Sequence, residues 1–185
     1  MLDKNPTKGK LLIAEPSILN DKEFNRSVIY LTEHNKDGCI GFILNKPTEF
    51  ILKDLIPEIE CDFPVYNGGP VEQENLYFIH KVPNLIPASI QIDDEFYWGG
   101  DFETLTNLLK NHLINESDIR FFLGYSGWSV NQLTEELNES TWIIVKNKYP
   151  NLLNLKSDDI WKNQIMAFGG EYQIWANAPK NPSLN

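Results

Sequence analysis

The chain has 185 residues, the length of one domain, enough to bury roughly two-thirds of the surface its unfolded form exposes. Apolar residues make up 42 % and aromatics 12 %, which excludes a disordered polymer and predicts a packed core. With 16 Lys and Arg against 26 Asp and Glu, the formal charge is −10; no basic run exists, which argues against direct nucleic-acid binding and against an anionic membrane surface.

Residues 1–9, MLDKNPTKG, are polar and predict a flexible entry before a first strand, KLLIA, at 10–14. EPSILNDKEF holds a loop or a short helical turn, and RSVIYLTE at 26–33 resumes β-branched and aromatic residues. HNKDG at 34–38 carries the Asp37-Gly38 pair that suits a positive-φ turn. It predicts a hairpin into CIGFILN at 39–45. Ile51, Leu52, Leu55 and Ile56 share one helical face, ended by Pro57.

Further strands are predicted in FPVYN, in NLYFIHKV at 75–82, and in ASIQI and EFYWG within 88–99, with a glycine corner at Gly68-Gly69-Pro70. From Asp101 to about Leu113 the period changes to that of a helix, with Phe102, Leu105, Leu108, Leu109 and Leu113 on one face and Asp101 as N-cap. IRFFLGY and TWIIVK read as strands flanking a helix of about ten residues. A last helix, capped by Ser157, runs near Asp158–Phe168 to the Gly169-Gly170 stop, and 176–185 is an irregular tail. Because strands come in adjacent groups, the fold class expected is α+β: a mostly antiparallel, partly closed, barrel-like sheet with helices packed around it, in a single domain over 1–185.

Cys39 and Cys61 belong to no CxxC or metal-type cluster. No leader pattern opens the chain, and no apolar run approaches ~18 residues. A reduced cytoplasm, no membrane contact, no metal and no cofactor are the expectations.

The stretch FLGYSGWSVNQL at 122–133 looks most like a site. A hydrolase elbow needs G-x-S-x-G, but residue 128 is Trp, and His34, His80 and His112 all precede Ser126. A Walker loop and a dinucleotide fingerprint fail on glycine spacing and on the missing lysine. An architectural reading fits better: Ser129 as N-cap with Gln132 at N3 completes a capping box, and Trp128 with Leu133 forms a hydrophobic staple. Gly124 and Gly127 then permit the turn, leaving Tyr125, Ser126, Glu135 and Glu136 without a structural role. Gly68-Gly69-Pro70 reads as a tight corner more than as an anion nest. Arg26 reads as an ion-pair partner, and His80 as a hydrogen-bonded interior or edge residue.

GKLLIAEPSI at 9–18, FNRSVIYLTEH at 24–34, GFILNKP at 41–47, GGPV at 68–71, LYFIH at 76–80 and FLGYSGWSVNQLTEEL at 122–137 occur in an order and spacing that resemble the bacterial AlgH/YqgE-like family. The resemblance implies an α+β fold with a barrel-like sheet in a bacterial cytosolic protein. It also brings a transcriptional-regulator label, inherited from genetics, without a DNA-binding motif.

The function expected is a non-catalytic binding or regulatory module that contacts a protein or small-molecule partner. The candidate surface is Arg26, His34, Asn45, Gly68, Gly69, Pro70, His80, Tyr125, Ser126, Gly127 and Trp128. The alternatives are a hydrolase or transferase using Ser126, His34 or His80 with a carboxylate such as Glu136, and a regulator acting indirectly. Oligomeric state has no signature in the sequence.

Overall fold

The computed structural model describes residues 5–18, 21–155 and 157–178. The flexible-entry expectation for residues 1–4, the end of the tail at 179–185 and the cap at Ser157 lie outside the described residues and side chains. Residues 5–9 lack regular structure, yet Pro6 is buried and Gly9 donates its N–H to the Leu31 carbonyl.

Strands β1 (Lys10–Ala14), β2 (Val28–Asn35), β3 (Gly38–Ile43) and β4 (Pro47–Ile51) come first, followed by the short helix α1 (Leu52–Leu55). Then come β5 (Pro64–Asn67), β6 (Val71–His80), β7 (Ile90–Gln91), β8 (Tyr97–Trp98) and α2 (Phe102–Lys110). The chain ends with β9 (Ile119–Trp128), α3 (Gln132–Asn138), β10 (Trp142–Lys146), α4 (Ser157–Ala167) and α5 (Tyr172–Asn177). Along the main path the order is β10-β1-β2-β3-β9-β6-β8-β7, with β4 and β5 branching off β9. Every pair is antiparallel except β5–β9. The expected antiparallel α+β fold is present; the sheet bends through β9 but does not close.

Several boundaries differ from the sequence expectation for identifiable reasons. The strand expected from 26 begins at Val28, because Arg26 takes a left-handed φ of 55°. β4 went unpredicted: PTEFI is mostly exposed and lacks a clean alternation. α2 forms with Leu105 and Leu109 buried and Asp101 capping it by accepting the Thr104 N–H at 2.7 Å, but it ends at Lys110, so Leu113, expected on its apolar face, lies beyond it and is exposed, as is Phe102. α4 stops before Gly169 and Gly170, both at positive φ. The irregular tail expected from 176 begins later, since α5 continues to Asn177.

β9 positions everything else. Phe121 and Phe122 are adjacent and both fully buried, so by strand alternation they enter opposite faces. Phe121 joins a core with Phe78, Leu105 and Val65, whereas Phe122 joins the larger core with Phe42, Tyr30 and Trp142. A strand covered on both faces reads as a continuous apolar run, and IRFFL has that form. Both cysteines are buried free thiols.

Candidate functional site

GYSGW is strand, not turn. Tyr125 is opposite Val71 of β6, and Ser126, Gly127 and Trp128 are opposite Gly41, Ile40 and Cys39 of β3. Alternation turns Gly124, Ser126 and Trp128 inward and Tyr125 and Gly127 outward, matching their burial. Ser126 is fully buried, and its hydroxyl donates to the Gly68 carbonyl at 3.0 Å. It is a structural fastener rather than a nucleophile.

The glycine corner interlocks with β9. Gly68 N–H donates to the Leu123 carbonyl at 2.8 Å, and the Gly68 carbonyl also accepts the Ile43 N–H at 3.0 Å. Gly69 N–H donates to Asn67 Oδ1 at 2.9 Å. With both amide donors spent internally, the corner offers no anion nest. A Cβ on Gly69, at φ +148°, would stand 2.4 Å from the Tyr125 backbone; one on Gly124, at φ +68°, would stand 2.6 Å from the Gly69 carbonyl oxygen. Glycine is required on both sides because the two backbones touch.

On the outer face, Glu33, Ile40 and Gly127 are opposite one another across β2, β3 and β9. Gly127 contributes no side chain, so this rung ends in a depression, walled by Tyr125 and Val71 from the neighbouring rung. The result is a cleft of ≈ 310 Å³ whose lining also includes Asn35, Asp37, Gly38, Cys39 and Trp128. A Cβ on Gly127 would meet the Tyr125 ring at 3.2 Å, so that ring folds over the bare glycine. Tyr125 meets Tyr77 edge-on at 5.6 Å between centroids.

Three candidate residues, Tyr125, Gly127 and Trp128, thus share one cleft; the others do not join them. Arg26 donates to the Ala178 carbonyl at 2.7 Å and lies over the Trp161 ring, away from the cleft lining. Asn45 accepts the Val28 N–H and donates to the Arg26 carbonyl, each at 2.8 Å, clasping the β2–β3 base. His34 is exposed at the hairpin tip, its Nδ1 2.8 Å from the Cys39 sulfur. Burial pushes the Cys39 thiol up. Cys39 also belongs to the cleft lining, whereas His34 does not. Pro70 is exposed beside the corner.

His80 is fully buried at the far end of β6. Its Nδ1 accepts the Val82 N–H at 3.2 Å, so Nε2 carries the hydrogen and points it at the Gly99 carbonyl at 3.1 Å. Ser89 Oγ, 3.0 Å from Nε2, donates its own hydrogen to Ile86 at 2.7 Å. The imidazole is a donor there, not a base. Burial lowers its pKa, only partly opposed by the Gly99 bond. No nucleophile and base therefore meet at Ser126 or His80.

The helix entry also departs from expectation. α3 begins at Gln132 with Asn131 at the cap and no side-chain cap bond. Pairing with Cys39 holds β9 extended to Trp128, so the chain needs further residues to turn. Only the return half of the capping box forms, with Ser129 N–H donating to Gln132 Oε1 at 3.2 Å. Trp128 and Leu133 share the larger core. Glu136, unassigned by sequence, accepts the indole N–H groups of Trp128 at 2.9 Å and Trp142 at 2.7 Å on one oxygen. That use removes it as a catalytic carboxylate.

Sequence reading missed Glu33, Asn35, Asp37, Ile40 and Val71, since Glu33 reads as the end of a strand, turn chemistry explained Asn35 and Asp37, and nothing signals a cleft in the other two. It also missed Arg120, 5 % exposed, which donates to the Leu44 and Leu155 carbonyls and stacks on Tyr66. Among the described residues no group of three His, Cys, Asp or Glu could hold a metal, and no helix is long and apolar enough to cross a membrane.

A sequence-family model described as AlgH-like matches residues 11–173. A UPF0301 protein of Bacteroides fragilis is 38 % identical over 182 residues, 97 % of this chain and 92 % of that protein. One from Chlorobium luteolum is 40 % identical over 183 residues, 98 % and 96 % of the two chains. The solution structure of the AlgH protein from Pseudomonas aeruginosa superposes with a TM-score of 0.72 at 23 % identity, over 97 % of this chain and 98 % of that one. A crystal structure of protein DIP2367 from Corynebacterium diphtheriae gives 0.73 at 21 % identity, over 96 % and 95 %. Both solved structures share the fold.

Proposed function

The chain belongs to the AlgH-like family, and on that premise we propose that it is a non-catalytic binding module, holding a protein or small-molecule partner in the cleft between the β2–β3 tip and Tyr125. One observation carries this reading. Tyr125, Gly127 and Trp128 converge on a single concavity, while the side chains with catalytic potential, Ser126, His80 and Glu136, spend their polar atoms inside the fold. The face formed by Tyr125 is the part of the motif left for contact with something else. We place the module in the cytosol, where any regulatory role is exerted through its partner rather than through DNA, given a formal charge of −10.

Affinity capture from a bacterial lysate tests this, with wild-type and Tyr125→Ala proteins immobilised at equal density. At least one partner should be lost from the variant. Identical retained sets would overturn the reading. A duplex oligonucleotide titrated at low salt should give no binding isotherm, and saturable binding that weakens steeply with salt would restore direct DNA recognition.

A further inference from the structure

We infer that the cleft is a site for an organic cation with a short apolar stem, the chemistry of an alkylguanidinium or alkylammonium. The inference rests on the binding reading above and specifies the ligand of that same site. Two carboxylates, Glu33 and Asp37, line the cleft together with the aromatic ring of Tyr125 and the apolar side chains of Ile40 and Val71. Neither carboxylate has a hydrogen bond or ion pair among the described residues; the bonds at the tip go instead to the Asn35 side chain, which accepts the Asp37 N–H at 2.8 Å. The Tyr125 hydroxyl is likewise without a partner among the described residues.

The arrangement separates the two parts of such a ligand. Ile40, Val71 and the face of Tyr125 form an apolar wall, against which a methylene stem loses water. A cation near that ring is attracted by its π face, and the two carboxylates supply charge at the rim. Lys36, exposed in the same hairpin tip, is the nearest like charge in sequence; His34 is outside the cleft lining and its Nδ1 is 2.8 Å from the sulfur of Cys39. At ≈ 310 Å³ the cleft stands at the lower end of the roughly 300–1,000 Å³ typical of small-molecule pockets. It suits a four-carbon cation better than a nucleotide, whose phosphates the acidic rim would also repel.

Butylguanidinium titrated into ¹⁵N-labelled protein tests the inference, with neutral butylurea as the control of the same shape. The Gly38 and Gly127 amide signals should move saturably with the cation and not with the urea. Tyr125→Ala should weaken the cation's affinity roughly fivefold through loss of the ring. Glu33→Gln with Asp37→Asn should weaken it at least as much, and both variants should keep native signal dispersion because none of the three side chains is fully buried. Equal responses to cation and urea, shifts confined to other residues, or unchanged affinity in the doubly amidated variant would each overturn it. A Tyr125-dependent partner in lysate capture together with no response to butylguanidinium would leave the binding reading standing and remove only the cation chemistry.

Discussion

The Ser126 hydroxyl points at the Gly68 carbonyl across 3.0 Å, and that one bond ties the centre of the most site-like motif in the chain to the back of the glycine corner. The corner is thereby joined to β9 by a side chain as well as by the Gly68–Leu123 backbone bond. Ser126→Ala should lower stability by about 1 kcal/mol, since the Gly68 carbonyl keeps its bond from Ile43 N–H. Urea denaturation measures the change, and binding at the cleft should be unaffected. A variant of native stability that lost binding would instead make Ser126 a contact residue.

The glycines divide into two kinds. Gly69→Ala and Gly124→Ala should each cost about 2 kcal/mol or more, because a positive φ is combined with a Cβ against backbone at 2.4 and 2.6 Å. Gly127→Ala meets no backbone, only the Tyr125 ring at 3.2 Å and the Val71 side chain at 3.9 Å, and should stay within about 0.5 kcal/mol of wild type while narrowing the cleft. Thermal melts of the three variants separate the two classes, and a Gly127→Ala protein as damaged as the others would contradict the outward placement.

Glu136 holds two indoles with one carboxylate oxygen. Glu136→Ala leaves two largely buried indole N–H groups without an acceptor, a loss of about 2–4 kcal/mol. Glu136→Gln keeps an acceptor oxygen and should lose less. Tryptophan emission should shift to the red in the alanine variant as Trp128 and Trp142 loosen; unchanged emission and stability would mean that water replaces the carboxylate.

His80 links stability to pH. Its pKa is lowered in the fold by burial, so below the unfolded-state value of about 6.5 the unfolded chain binds more protons than the native one. Stability from this group is complete above that pH and is lost as pH falls below it, when a proton on Nδ1 would face the Val82 N–H. Urea midpoints should decline between pH 7 and 5, and His80→Gln should flatten that decline. An equal slope in the variant would assign it to other groups.

Much of this molecule was legible in advance. Asp101 with the apolar face of α2, the hairpin around Asp37-Gly38, α1 ending before Pro57 and the antiparallel grouping of strands all follow from period, turn chemistry and capping, which act within a few residues. The GYSGW stretch was misread as a turn because its glycines and polar residues suit one locally. Two neighbouring strands, 50 to 90 residues away in sequence, hold it extended.

The sequence by itself determined the class of fold and the acidic charge, because composition and periodicity act without reference to distant partners, and the order and spacing of its motifs carried the family resemblance. Only tertiary structure decided which motif residues are fasteners and which remain available. Ser126 turns inward to Gly68 and Tyr125 turns outward over Gly127 because register with β3 and β6 sets the face of every residue in β9, and a shift of one position would exchange them.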